Sequence, residues 1–345
     1  MKKDKFTVNY HSKVPVYKQL IQHFEGQIAA GKYKVGDLLP SMNELAADLD
    51  ISKETVKKAY SLLRDQGIVE TKLGKGCYVA PSAIDRQTTV LVLFDKLSLY
   101  KQVLFDSFTE TLGKDVNVTI LLHNQDVDLF EYYLNEHLDK YDYYVITPHF
   151  PNDAMTQKRV LKILRRIPNR KLIILDREMP ELSGHYGTVY QDFSNDIYDG
   201  LSYGLDKLRT FDCLNVLTLK SSMYGAYICK AIRRFCDDNN LKVEFYSEVN
   251  PQNMKRNEVY LVLNNQLDTG MNALVRVMHE RGFEVGKDIS IISYNESPLN
   301  DLILNGLTAV STDFRKMGVY AAEMINNKQM EKIKCDFVMV RRSSF

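Results

Sequence analysis

A chain of 345 residues, 45% hydrophobic and 26% charged, is long enough for two or three globular domains. A net charge of +1 excludes a polycation, and five widely spaced cysteines without a C-x-x-C argue against a disulfide framework or a zinc site. No apolar run approaches the length of a membrane span, and no apolar h-region follows MKKDKFTVNYHSK, so a cytoplasmic protein with no membrane contact is expected.

The charge is uneven. Residues 1–80 hold 12 Lys and 1 Arg against 5 Asp and 4 Glu, a net +4, which leaves −3 for the remainder. A basic head on a mildly acidic body fits a polyanion-binding module. In the head, Pro15 precedes Val16, Leu20, Ile21, Phe24 and Ile28 at helical spacing, and Gly31 supplies a stop. Ser41 and Glu44 form an S-x-x-E capping box for a short helix expected to turn Met42, Leu45, Ala46 and Leu49 inward. After a turn at Asp50-Ile51, Ser52 caps a third helix running to about Gln66 before Gly67.

In that third helix, Val56, Ala59, Tyr60 and Leu63 make an apolar stripe, while Lys53, Lys57 and Lys58 lie on the other face with Thr55 near the start. Two short helices joined tightly, the second basic at its N-terminal end, define a helix-turn-helix whose second helix enters the major groove. A solvated lysine face is the alternative. Residues 68–72 and 77–79 then read as two strands around Leu73-Gly74-Lys75-Gly76, a wing whose Lys75 can reach phosphate and whose Gly76 permits close backbone approach.

This winged helix-turn-helix resembles the GntR family of bacterial transcription regulators over residues 14 to 80, through PVYKQL, AAGKYKVGDLLPSMNELA, ISKETVKKAYSLLRDQGIVE and GKGCYV. The resemblance implies a DNA-binding set of Ser41, Asn43, Ser52, Lys53, Thr55, Lys57, Lys58, Lys75 and Gly76. Asn43, Lys53 and Lys57 stand where the family usually has Arg. Lys still meets phosphate but lacks the bidentate fork that reads guanine, so a different operator sequence is implied.

Residues 81–88 form a polar linker, and 89–345 alternate β and α patterns. TTVLVLF, VNVTILL, YDYYVIT, RKLIILD, CLNVLTL, EVYLVLN and ISIISYN read as buried strands, with helices at 160–167, 227–239 and 271–281 among those between them. The expected fold is two Rossmann-like lobes with parallel sheets and a cleft at the strand ends. Asp95, Asp176-Arg177, Asn264-Asn265 and Asn295-Glu296 follow strands, and amides and carboxylates there suit a polyhydroxylated ligand. Loop initiation is the alternative reading.

The body is similar to the effector domain of LacI-type regulators, a type I periplasmic-binding-protein fold, chiefly through GFEVGKDISIISYNESPL and LTAVSTDFRKMGVYAAEMI. The resemblance implies ligand contacts from Tyr100, Lys101, Asp176, Asn295 and Phe314, and from Asn264 or Asn265, between which it does not choose. The family's ligand-clamping Arg is absent; Ser222, Tyr224 and Tyr227 offer themselves instead, which favours a neutral sugar. A GntR-type head on such a body resembles arabinose-repressor-type regulators. That implies a homodimer on a palindromic double-stranded DNA operator, released or recruited by a monosaccharide of the L-arabinose or L-fucose type, with no cofactor. A sensor of nucleobases or sugar phosphates, and a sugar-metabolising enzyme with a DNA-binding head, are the alternatives. No Ser-His-Asp order, P-loop, metal-spaced histidines or paired catalytic carboxylates are recognisable, and His123, His137, His149, His185 and His279 read as surface or core residues.

Overall fold

Local signals set the head's helices. The computed structural model describes residues 6–345 except 11, 13, 73–74, 82–86, 219–222, 251 and 264–268. Helix α1 (Val16–Ala29) starts after Pro15, whose ring presets the backbone. Helix α2 (Met42–Leu49) opens with the full capping box: Glu44 N–H donates to Ser41 Oγ while the Glu44 carboxylate accepts from Ser41 N–H. Asp50 turns left-handed at φ 51°, and α3 (Lys53–Asp65) begins under Ser52, whose Oγ accepts from Thr55 N–H. Leu20, Phe24, Val56, Tyr60 and Leu63 close one core, with the Phe24 and Tyr60 rings 5.6 Å apart. Strands β1 (Val69–Lys72) and β2 (Gly76–Val79) pair antiparallel, Lys72 opposite Gly76. One expectation fails here. Of the four side chains assigned inward on α2, Leu45 is buried and Ala46 and Leu49 pack half-buried against the same core, while Met42, the first residue of the helix, is exposed.

The chain divides into two compact units, one ending at Thr88 and the other beginning at Thr89. In the second, β3 (Thr88–Phe94), α4 (Leu99–Leu112), β4 (Val116–Leu122), α5 (Val127–His137), β5 (Tyr143–Ile146), α6 (Ala154–Leu164), β6 (Leu172–Asp176) and β7 (Gly187–Tyr190) build one lobe. The chain crosses to a second lobe with α7 (Asp196–Ser202), α8 (Leu205–Leu208), β8 (Cys213–Leu217), α9 (Gly225–Asp238), β9 (Val243–Tyr246), β10 (Glu258–Val262), α10 (Thr269–Arg281), β11 (Ile289–Tyr294) and β12 (Thr308–Thr312). It returns for α11 (Phe314–Asn326) and β13 (Lys332–Lys334), then crosses again for β14 (Phe337–Val340).

The two six-stranded sheets run β13-β7-β6-β5-β3-β4 and β14-β12-β11-β10-β8-β9. Strand β14 lies antiparallel to β12. Strands β3, β6, β8, β10 and β11 are apolar nearly throughout because helices cover both faces of each sheet. The crossing segments bind one another: Cys335 N–H donates to Tyr190 O (2.8 Å) and Asp313 N–H to Asp336 O (3.1 Å). No helix among the described residues is long and apolar enough to cross a membrane.

Helix α11 packs on α4 at backbone distance. A Cβ on Gly318 would fall 2.3 Å from Leu104 O and 2.2 Å from Ser107 Oγ. Gly318→Ala should therefore destabilise the second unit by about 1–3 kcal/mol. Gly26, on α1, has no neighbour within 4 Å of such an atom, and Gly26→Ala should stabilise the head by about 0.5–1 kcal/mol through helix propensity alone. Denaturant midpoints for the two variants check the opposite signs.

Candidate functional site

The C-terminal strand ends of the first lobe hold a buried charged network. Asp95 follows β3, Asp176 ends β6, and Lys101 reaches in from the first turn of α4; all three are at most 2% exposed. The Lys101 ammonium binds the Asp95 carboxylate directly and lies 3.7 Å from Asp176 Oδ2. Asp95 also accepts from Thr147 Oγ1 at 3.1 Å, and Asp176 accepts from the Gln191 amide and from His149 Nε2 at 2.7 Å. Burial alone would raise both carboxyls; Lys101 at Asp95, and the His149 imidazole with Lys101 at Asp176, hold them below the usual carboxylate range. Burial would likewise lower the Lys101 ammonium, and Asp176 with Asp95 holds it raised.

The network crosses to the second lobe. His149 Nδ1 lies 2.8 Å from Tyr224 Oη, Asn152 donates to Met223 O (3.1 Å), and Thr312 Oγ1 donates to Gln191 Oε1 (3.1 Å). Arg177 Nη1 also reaches Tyr224 Oη, at 3.4 Å. Arg177 can only donate to the Tyr224 hydroxyl and the Asp176 carboxylate can only accept from His149 Nε2, so the His149 ring links Tyr224 to Asp176. Phe193 lies flat on Tyr224, ring centroids 3.9 Å apart. Burial pushes the Tyr224 phenol well up, so its proton stays in place at ordinary pH.

Of the residues assigned to the ligand, Tyr100, Lys101, Asp176, Tyr224 and Phe314 fall together here. Tyr100 packs on Phe314, centroids 4.6 Å apart. The Lys101 ammonium is turned to the two aspartates. Asn295 follows β11 at φ 74°, the same left-handed region as Asp176, which Asn and Asp tolerate best. Asn264 and Asn265 lie outside the described residues, as does Ser222. Sequence reasoning missed His149, Thr147, Gln191 and Phe193. His149 follows its strand end by three residues, and the position alone could have flagged it; nothing local marks Gln191.

In the head, Ser41, Asn43, Ser52, Lys53, Lys57, Lys58, Lys75 and Gly76 are exposed and Thr55 is half-buried. Ser41, Ser52 and Thr55 are engaged in helix caps, with Ser52 Oγ 2.8 Å from Thr55 Oγ1. Lys58 lies over the Tyr17 ring at 4.0 Å, and Lys57 is 3.6 Å from Glu54. Gly76 has φ 104°, and a Cβ there would meet Leu38 Cδ1 at 2.8 Å, so glycine is required at the wing's return.

This geometry defines a winged helix-turn-helix unit followed by a two-lobed, periplasmic-binding-protein-like α/β unit. Residues 16–79 match the family model "Bacterial regulatory proteins, gntR family", and residues 266–334 match the "Periplasmic binding protein-like domain". The chain thus joins a gntR-family helix-turn-helix domain to a periplasmic-binding-protein-like domain. Over 76 residues it is 40% identical to the HTH-type transcriptional repressor YtrA of Bacillus subtilis, covering 22% of this chain and 58% of that protein. Over 82 residues it is 34% identical to the Mannosyl-D-glycerate transport/metabolism system repressor MngR of Escherichia coli, covering 24% of this chain and 34% of that one. The chain therefore matches less than two thirds of the length of these relatives. The solved structure of the trehalose repressor of Escherichia coli superposes with a TM-score of 0.59 at 12% identity, covering 74% of this chain and 100% of that one, which establishes the shared fold.

Beside the network, His123 is fully buried, its ring stacked 4.5 Å from Phe150 and its Nε2 3.1 Å from Thr147 O. Burial pushes its pKa down to about 4. The unfolded chain takes up this proton near pH 6.5, so stability held above that pH should fall as pH drops from about 6.5 toward 4, by roughly 3 kcal/mol. His123→Phe keeps the ring packing and should flatten this acid limb relative to wild type, as read by thermal melting across that range.

Proposed function

We propose that this chain is a DNA-binding transcriptional repressor of sugar-utilisation genes, whose operator affinity is altered by a sugar bound between the lobes of its second unit. The observation that carries this reading is the exposed first turns of α3, where Lys53, Lys57 and Lys58 share one face of a Ser52-capped helix above a Gly76 wing. Lysines there reach phosphate, and a helix N-terminus adds favourable dipole. In the second unit, Tyr100, Asp176, Tyr224, Asn295 and Phe314 are assigned to the sugar, with aromatic faces for its apolar side and strand-end polar groups for its hydroxyls. The sugar-related names of a curated relative and of a structural neighbour support the effector class. A homodimer on a palindromic operator is part of the proposal.

A second reading has one observation in its favour. Arg177 is half-buried at the lobe junction and makes no ion pair among the described residues. A guanidinium so placed suits a sugar carrying phosphate or carboxylate.

The test is fluorescence anisotropy on a DNA fragment spanning the gene's own promoter. Lys53→Ala and Lys57→Ala should each weaken binding and lower the log–log salt slope by about one. Adding L-arabinose, L-fucose, trehalose or trehalose 6-phosphate should change wild-type affinity about tenfold or more for one of them, a coupling of about 1.4 kcal/mol. A response only to the phosphate selects the second reading. Unchanged DNA affinity in both lysine variants contradicts the recognition-helix assignment.

A further inference from the structure

Two neighbouring oxygens at the end of β11 are buried without a hydrogen-bond partner among the described residues: Tyr294 Oη and Asn295 Oδ1. Tyr294 is 5% exposed. The fold otherwise provides for its buried tyrosines. Tyr60 donates to Pro40 O (2.8 Å), Tyr144 to His137 O (2.9 Å) and Tyr260 to Glu258 Oε2 (2.8 Å). An unpaired buried hydroxyl costs on the order of 1–3 kcal/mol, so this departure calls for a cause.

Position supplies one. Tyr294 ends the strand, next to Asn295, and its ring packs on Phe337 of the crossing strand β14, centroids 5.7 Å apart. Burial raises its phenol first, and Asp196, Asp176 and Tyr100 add to this. The carboxylates of that network already accept from Lys101, Thr147, His149 and Gln191. What they leave for a ligand is limited, whereas Tyr294 Oη and Asn295 Oδ1 have no hydrogen-bond partner among the described residues. A phenol both donates and accepts, and an amide does one or the other according to how it is turned. A ligand hydroxyl matches both in either orientation. An anionic oxygen cannot donate to the amide carbonyl.

We propose that Tyr294 Oη and the Asn295 amide form a specificity-determining pair that takes a hydroxyl-bearing edge of the effector, with Tyr294 a ligand contact in addition to those assigned above. This rests on the sugar reading of the cleft. It is compatible with a phosphate or carboxylate elsewhere on the ligand, at Arg177, but puts hydroxyls at β11.

The experiment is thermal melting and calorimetric titration of full-length wild type, Tyr294→Phe and Tyr260→Phe with L-arabinose, L-fucose, trehalose and trehalose 6-phosphate. Tyr294→Phe removes a hydroxyl that has no partner in the fold, so without sugar it should melt at or above wild type. It should bind the sugar that shifts wild type about tenfold more weakly. Tyr260→Phe removes a satisfied hydroxyl and should melt below wild type while keeping its sugar affinity. If Tyr294→Phe binds that sugar as wild type does, or melts clearly below wild type without it, the Tyr294 assignment is overturned and the sugar reading stands. If no compound shifts wild type, the sugar reading fails and this proposal falls with it.

Discussion

The second unit depends on one cation held between two buried carboxylates. Lys101, Asp95 and Asp176 are withdrawn from water, and each would be costly there alone. One ammonium balances only one of the two negative charges, so the remainder must be met by donors: Thr147 at Asp95, His149 and Gln191 at Asp176. Those donors come from the ends of β5 and β7 and the loop after β5. The electrostatic requirement of three side chains thereby fixes four strand ends and the first turn of α4 relative to one another.

His149 carries that requirement into the second lobe. Arg177 donates to Tyr224, His149 donates to Asp176, and the His149–Tyr224 bond joins the two. A sugar that engages these groups must exchange bonds with a chain whose members belong to both lobes. Its binding free energy then differs between lobe arrangements, which is the condition for a ligand to shift a conformational equilibrium. The crossing segments, tied by Gln191–Thr312, Tyr190–Cys335 and Asp313–Asp336 bonds, lie where such a shift would be absorbed.

Much of this was legible in the sequence where the determinant is local. The capping box at Ser41 and Glu44, the Ser52 cap, and the apolar stripe of α3 are short-range patterns, and they correspond to the helices observed. The apolar strands β3, β6, β10 and β11 were visible as runs. Strands β7, β9, β12, β13 and β14 were not, several of them being half-polar, such as Lys332–Lys334. Their existence is decided by the sheet they join. In the buried network, Asp176 announced itself as a polar residue closing an apolar strand. Gln191 and Thr312 pair across 121 residues, and no local pattern encodes that bond. Met42 was misread because helical spacing gives a face but not how far its neighbours extend.

The measurement that bears most directly on the account is the stability of Lys101→Met at neutral pH, alone and combined with Asp95→Asn, by thermal melting of the full chain. Removing the cation leaves two buried carboxylates with hydrogen-bond donors but no ammonium between them, so the single variant should lose about 3–5 kcal/mol in the second unit. Neutralising Asp95 in the same chain should restore a large part of that loss, because Asp176 keeps His149 and Gln191. A Lys101→Met chain that melts with wild type, or a double variant no better than the single, would contradict the network as the organising constraint.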